Sequence, residues 1–172
     1  SALDSAQHSV DIQQAYISHY PESENPWLAA AVRAAEAGAE VRIQLDGMYY
    51  NTDSEADNDE IAASVNRRGL ENLQAKILTD REGILKLHNK GFIIDDETVL
   101  ITSINFNYNS PTNNREAGLL LESEEAAAYY TRVFSYDWDG VVLDNPASAA
   151  VGFVIRYLLA GIIIVGLVGL YV

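Results

Sequence analysis

The chain has no cysteine, which excludes disulfide frameworks, thiol nucleophiles and cysteine-held zinc, and leaves the redox compartment open. Basic residues are scarce: 11 Lys and Arg stand against 25 Asp and Glu, a net charge of -14. Lysine occurs only at Lys76, Lys86 and Lys90. Such a chain offers no basic groove, so nonspecific binding to nucleic acid or to an anionic membrane surface through bulk charge is disfavoured. The acidic, lysine-poor, alanine-rich balance is halophile-like, because salt screens the repulsion among carboxylates. No initiator Met, basic stretch or apolar leader opens the chain at Ser1, so the expectation is a piece of a longer protein with no visible targeting segment. What is plentiful is apolar residue, 48% of 172, too much for a disordered acidic chain and enough for one core with a short appendage.

Part of that apolar content is one terminal run. From Ala147 to Val172 the only charge is Arg156, within VGFVIRYLLAGIIIVGLVGLYV. This composition predicts a transmembrane helix over 148–172, reached through a linker at 140–147 from a folded module at 1–139. The uncharged stretch from Tyr157 would reach only about 24 Å, so Arg156 snorkels or the chain continues. The expectation is therefore a single-pass protein of the cell membrane, its soluble domain outside the cytoplasm.

Before that run, strand-like and helix-like stretches alternate. Strands are expected at Ser9 to Ile17, Glu40 to Leu45, Gln74 to Leu78, Leu85 to Ile94, Thr98 to Ile101 and Gly118 to Leu121. Helices are expected at Pro26 to Ala37, with proline in its first turn and Gly38 as its stop, at about Glu60 to Arg68, and at Glu124 to Tyr136. This order gives an α/β layered domain. The acidic loop around Asp57-Asn58-Asp59 lacks the glycine and spaced glutamate of a calcium loop and reads as solvated.

Chemistry concentrates between Leu87 and Glu116. His88 and Lys90 are two residues apart, a spacing that on a strand sends an imidazole and an ammonium to the same face. Asn105, just past the next strand, adds an amide. An imidazole beside a cation and an amide suits a phosphodiester: the cation and amide neutralise nonbridging oxygens while the imidazole attacks phosphorus or moves a proton. That chemistry needs no metal or cofactor.

His88, Lys90, Asp95, Ser103 and Asn105 match the spacing H-x-K-x-x-x-x-D-x-x-x-x-x-x-G-S-x-N, with Thr102 where glycine is usual, and Asn114-x-Glu116 resembles the N-x-E element that follows it. In these residues the chain resembles the phospholipase D superfamily over roughly Ser9 to Trp138. The resemblance implies a mixed sheet layered between helices and a two-step reaction through a phosphohistidine. His88 would be the nucleophile, Lys90 and Asn105 would hold the phosphoryl oxygens, Asp95 would be structural support, Ser103 a supporting hydroxyl, and Glu116 a partner orienting a histidine. A second histidine is needed and neither His8 nor His19 has a lysine two residues on. The second motif-bearing half is expected from an upstream part of the chain or from a homodimer. The implied function is phosphodiesterase or phosphatidyltransferase activity on a lipid phosphodiester. The alternatives are a nuclease of the same superfamily, or a noncatalytic membrane-tethered module.

Overall fold

Valine, isoleucine and leucine alternate with polar residues in Ser9–Gln14 (β1) and Glu40–Asp46 (β2), so each strand presents Val10 and Ile12, or Val41, Ile43 and Leu45, to one side. The computed structural model describes residues 2–52, 57–79 and 85–140. It joins these strands to Leu73–Leu78 (β3), Gly91–Ile94 (β4), Thr98–Thr102 (β5) and Gly118–Glu122 (β6) in one six-stranded sheet, ordered β3-β2-β1-β4-β5-β6. The first three strands are parallel and the last three pair antiparallel, with β4 against β1 as the junction.

Two helices close the apolar face. Helix Pro26–Glu36 (α1) is started by Asn25, whose side chain accepts from the N–H groups of Trp27 and Leu28, and buries Leu28, Ala31, Val32 and Ala35. Helix Asn58–Asn66 (α3) buries Ile61, Ala62 and Val65 against the same core. Asp57 accepts from Glu60 N–H to cap α3, and Asn58 is fully buried, bonding Ala15, Ile17 and Asp46 main chain. Those bonds give this part of the acidic loop a structural role.

The other face is more polar and is covered by helix Glu124–Asp139 (α5) through Ala126, Ala127, Phe134 and Trp138. Arg42 makes a two-pronged ion pair with Asp11 on the neighbouring strand, 2.6 and 2.7 Å, and its guanidinium lies 4.9 Å from the Phe134 ring centre. A buried charge is thus paired and stacked rather than isolated. The layered α/β expectation, a mixed sheet between helices, describes this body, which ends at Gly140 in a left-handed cap.

The sequence reading is corrected at three points. Strand β1 stops at Gln14 and Ile17 makes only an isolated bridge to Phe106. Strand β4 begins at Gly91 rather than Leu85, because Leu87 N–H is diverted to a side chain and residues 85–89 stay outside the ladder. The single-pass cell-membrane placement is also overturned: among the described residues no helix is long and apolar enough to cross a membrane. The longest, α5, has 16 residues and carries Glu124, Glu125, Arg132, Asp137 and Asp139. The linker at 140–147, apart from Gly140, and the helix expected at 148–172 lie outside the described residues.

Candidate active site

Because β4 runs against β1, the end of β1, the end of β2, the start of β4, the end of β5 and the start of β6 meet at one end of the sheet. Gln13 is opposite Gly91, Gly91 is opposite Ile101, and Thr102 is opposite Gly118. The motif residues reach this end by different routes.

His88 and Lys90 sit on the segment that enters β4. Leu87, 4% exposed, is its anchor, and its N–H donates to Asp46 Oδ1 at 2.6 Å. His88 is exposed beside it, whereas Lys90 is buried and turns its Nζ onto the His88 carbonyl at 2.8 Å. Asn89 donates to Gln13 Oε1 at 3.2 Å. Both residues line a cavity of about 210 Å³ whose apolar wall includes Ile93, Val99, Tyr130 and Phe134.

Partial burial holds the His88 imidazole below its ordinary value, and the positive charges of Lys90 and Lys86 push the same way, while Asp46 opposes them. Lys90 is likewise lowered, by burial and then by Lys86, with Glu116 opposing. The cluster therefore favours a neutral imidazole next to a cation, the state a nucleophile at phosphorus needs.

Glu116 gathers the residues that follow β5. It accepts from Ser103 Oγ, from Ser110 Oγ and, at 3.2 Å, from Asn114 Nδ2. These bonds hold its carboxyl below the usual range, with Lys90 adding to the effect. Asn105 joins the network through its N–H, which donates to Ser110 Oγ at 3.1 Å. The carbonyl oxygen of its side chain is buried and has no hydrogen-bond partner among the described residues. Ser110 lies on the short helix Asn109–Asn113 (α4).

Thr102, where the superfamily pattern has glycine, is accommodated. Its φ is not positive, its hydroxyl donates to Ala117 O at 2.9 Å, and it accepts from Ile104 N–H at 3.1 Å. The partner position on β6 is Gly118, where an added Cβ would press to 3.3 Å from the Thr102 hydroxyl.

Asp95 is at the far end of β4. It and Asp96 occupy the β4–β5 turn with φ of 53° and 55°, values that asparagine and aspartate tolerate best among residues with a Cβ. Its carboxylate accepts from the N–H groups of Gln7, His8 and Ser9 at 2.9, 2.7 and 2.8 Å. Asp95 thus fixes the start of β1 and stands apart from the cluster.

Two residues at the site were not singled out from sequence. Asp46 accepts from Leu87 N–H, and Gln14, fully buried, accepts from Phe106 N–H at 3.3 Å. Both end strands that otherwise alternate cleanly, and a polar residue closing a buried strand was the available signal.

A family model described as cardiolipin synthase, PLD-like domain, matches residues 1–138. No curated protein matches the chain. Among solved structures, NucT from Helicobacter pylori superposes with a TM-score of 0.62 at 21% identity, covering 80% of this chain and 82% of that one. A phospholipase D family member, Nuc from Salmonella typhimurium, gives 0.61 at 24% identity over 80% and 82%. Phosphatidylserine synthase from Haemophilus influenzae Rd KW20 gives 0.58 at 18%, over 77% of this chain and 33% of that one. At these identities the structural likeness is one of fold.

Proposed function

The chain belongs to the phospholipase D-like family, and on that premise we propose that it is one half of an enzyme that breaks a phosphodiester through a phosphohistidine. Family membership supports a phosphodiesterase or phosphatidyltransferase type of activity. The observation that supports the reading is that His88 and Lys90 enter β4 at the end of the sheet where Glu116 accepts from Ser103 and Ser110 and Asn105 N–H donates to Ser110.

In the proposed reaction the neutral His88 imidazole attacks phosphorus and forms the P–N bond as the P–O bond to the leaving alcohol breaks. A second histidine, from another motif-bearing half, gives that alcohol its proton. The same histidine then takes a proton from water or from an acceptor alcohol, whose oxygen displaces His88 from phosphorus. Lys90 and the Asn105 amide neutralise the nonbridging oxygens as charge builds. Glu116 holds the two serine hydroxyls and keeps a negative charge near Lys90.

We favour a substrate with an uncharged organic substituent, as in a lipid phosphodiester, over a nucleic acid. The cavity beside His88 is walled by Ile93, Val99, Tyr130 and Phe134, and a chain of net charge -14 repels a polyanion. A nuclease remains the second reading, since high salt screens that repulsion.

The test is turnover by the full chain, at concentrations that let two copies associate, of zwitterionic phosphatidylcholine vesicles and of single-stranded DNA at high salt, beside His88→Ala. The expected result is lipid turnover, an acid-labile phosphoryl group trapped on His88, and none of either in the variant. Equal turnover by wild type and His88→Ala would overturn the reading, and DNA cleavage without lipid turnover would replace the substrate class.

A further inference from the structure

We propose that Asp46 is the positioning residue for His88: its carboxylate fixes the main chain immediately before the imidazole and faces it with a buried negative charge. This rests on the reading of His88 as the nucleophile. Asp46 is 1% exposed at the end of β2. Its oxygens accept from Leu87 N–H at 2.6 Å, from Met48 N–H at 3.2 Å and from Asn51 Nδ2 at 2.8 Å.

None of those three donors is charged. A buried carboxylate bonded to no cation among the described residues is expensive to desolvate, and an asparagine could satisfy some of the same donors at lower cost. A carboxylate in that setting is accounted for where its charge acts on a neighbour. The segment it anchors supplies one. Leu85 is 90% exposed, and Lys86, His88 and Asn89 are also exposed, so Leu87 is the point at which the entering chain is pinned, its side chain in the core and its N–H on Asp46.

The imidazole one residue on is faced by Lys90 and Lys86 from its own segment and by Asp46 from β2, while Glu116 on the β6 side faces Lys90. The two lysines favour the neutral ring before attack. Once His88 bonds to phosphorus its ring becomes cationic, and Asp46 is the charge that stabilises it there. Fixing the backbone and offsetting the ring's charge are both tasks that act through His88, without contact with the phosphodiester.

Asp46→Asn keeps size and one acceptor oxygen and removes the charge. In the full-length variant the His88 ring, followed by NMR, should titrate at lower pH than in wild type, because an opposing negative charge is gone. With phosphatidylcholine vesicles kcat should fall about tenfold or more with KM changed little, the scale at which supporting residues act. In wild type the Leu87 amide should exchange slowly with solvent although its neighbours are exposed. An unchanged His88 titration in a folded Asp46→Asn protein overturns the proposal. So does a Leu87 amide in wild type that exchanges as fast as a free loop, a measurement that stands even if the variant does not fold. The titration and exchange need no turnover, so loss of the phosphodiesterase reading would appear separately, as a wild type that is inactive even where a second motif-bearing half is present.

Discussion

A neutral imidazole is held at His88 by burial and by Lys90 and Lys86, and this sets a pH dependence with a definite sign. Attack needs the unprotonated ring, so kcat/KM should fall on the acid side through a value below 6.5, the ordinary value for histidine. Lys86→Gln removes one of the opposing cations, so its acid limb should move to higher pH in a pH–rate profile; movement to lower pH would reverse the assigned electrostatics. Asp95 carries a separate prediction. Burial pushes its carboxyl up, but the N–H groups of Ser9, Gln7 and His8 outweigh that and leave it below its ordinary value. A carboxyl lowered in the folded state adds stability above its unfolded value, near 4, and that stability is lost as pH falls through the folded value. Asp95→Ala should therefore cost about 2 kcal/mol in urea denaturation at pH 7, and less at pH 2 to 3, with the His88 titration unchanged. The motif spacing made His88, Lys90, Asp95, Ser103, Asn105 and Glu116 legible in the sequence, because strand, turn and strand are local. It could not show that Asp95 faces the start of β1 or that Leu87 is held by Asp46, since those partners are 86 to 88 and 41 residues away.

At the scale of elements, the fold was readable wherever apolar residues repeat. Strand β2 and helix α1 follow from alternation and from the Asn25-Pro26 start. Helices α2 (Tyr49–Thr52) and α4 have four and five residues, too few for a periodic signal, and they are held by local side-chain bonds, Asn51 Nδ2 donating to Asp46 and Asn107 Oδ1 accepting from Ser110 N–H. The short β4 shows why the motif works as a unit. A Cβ on Gly91 would lie 2.0 Å from the Leu100 carbonyl oxygen, so the approach of β4 to β5 admits only hydrogen there. That contact lies between Lys90 and Thr102, whose N–H donates to Lys90 O at 3.0 Å. Gly91→Ala should push the strands apart, cost about 3 kcal/mol, and lower activity beyond what lost folding explains, because it moves Lys90 relative to Ser103. Thermal unfolding paired with activity per folded molecule checks this. A Gly91→Ala protein of wild-type stability would mean that the strands separate freely.

For the molecule as a whole, one complete motif and a charge of -14 act against each other. The proposed chemistry needs two histidines at one phosphorus, and only His88 stands with Lys90. A lone copy should therefore bind substrate without completing turnover, and the second histidine must come from another motif-bearing half. Where that half is a second copy, association brings two strongly acidic bodies together, a repulsion that salt relieves because the Debye length shrinks from about 10 Å at 0.1 M to about 3 Å at 1 M. Specific activity of the 172-residue chain should then rise with protein concentration, and the midpoint of that rise should move to lower concentration as salt increases. Mixing wild type with His88→Ala gives a second readout, because a mixed pair holds one histidine and does not turn over. Activity per total protein should fall as the square of the wild-type fraction, whereas independent sites would give a straight line. Full activity from a species shown by sedimentation to be monomeric would mean that His88 works with an acid from its own chain, and the two-histidine scheme would fall.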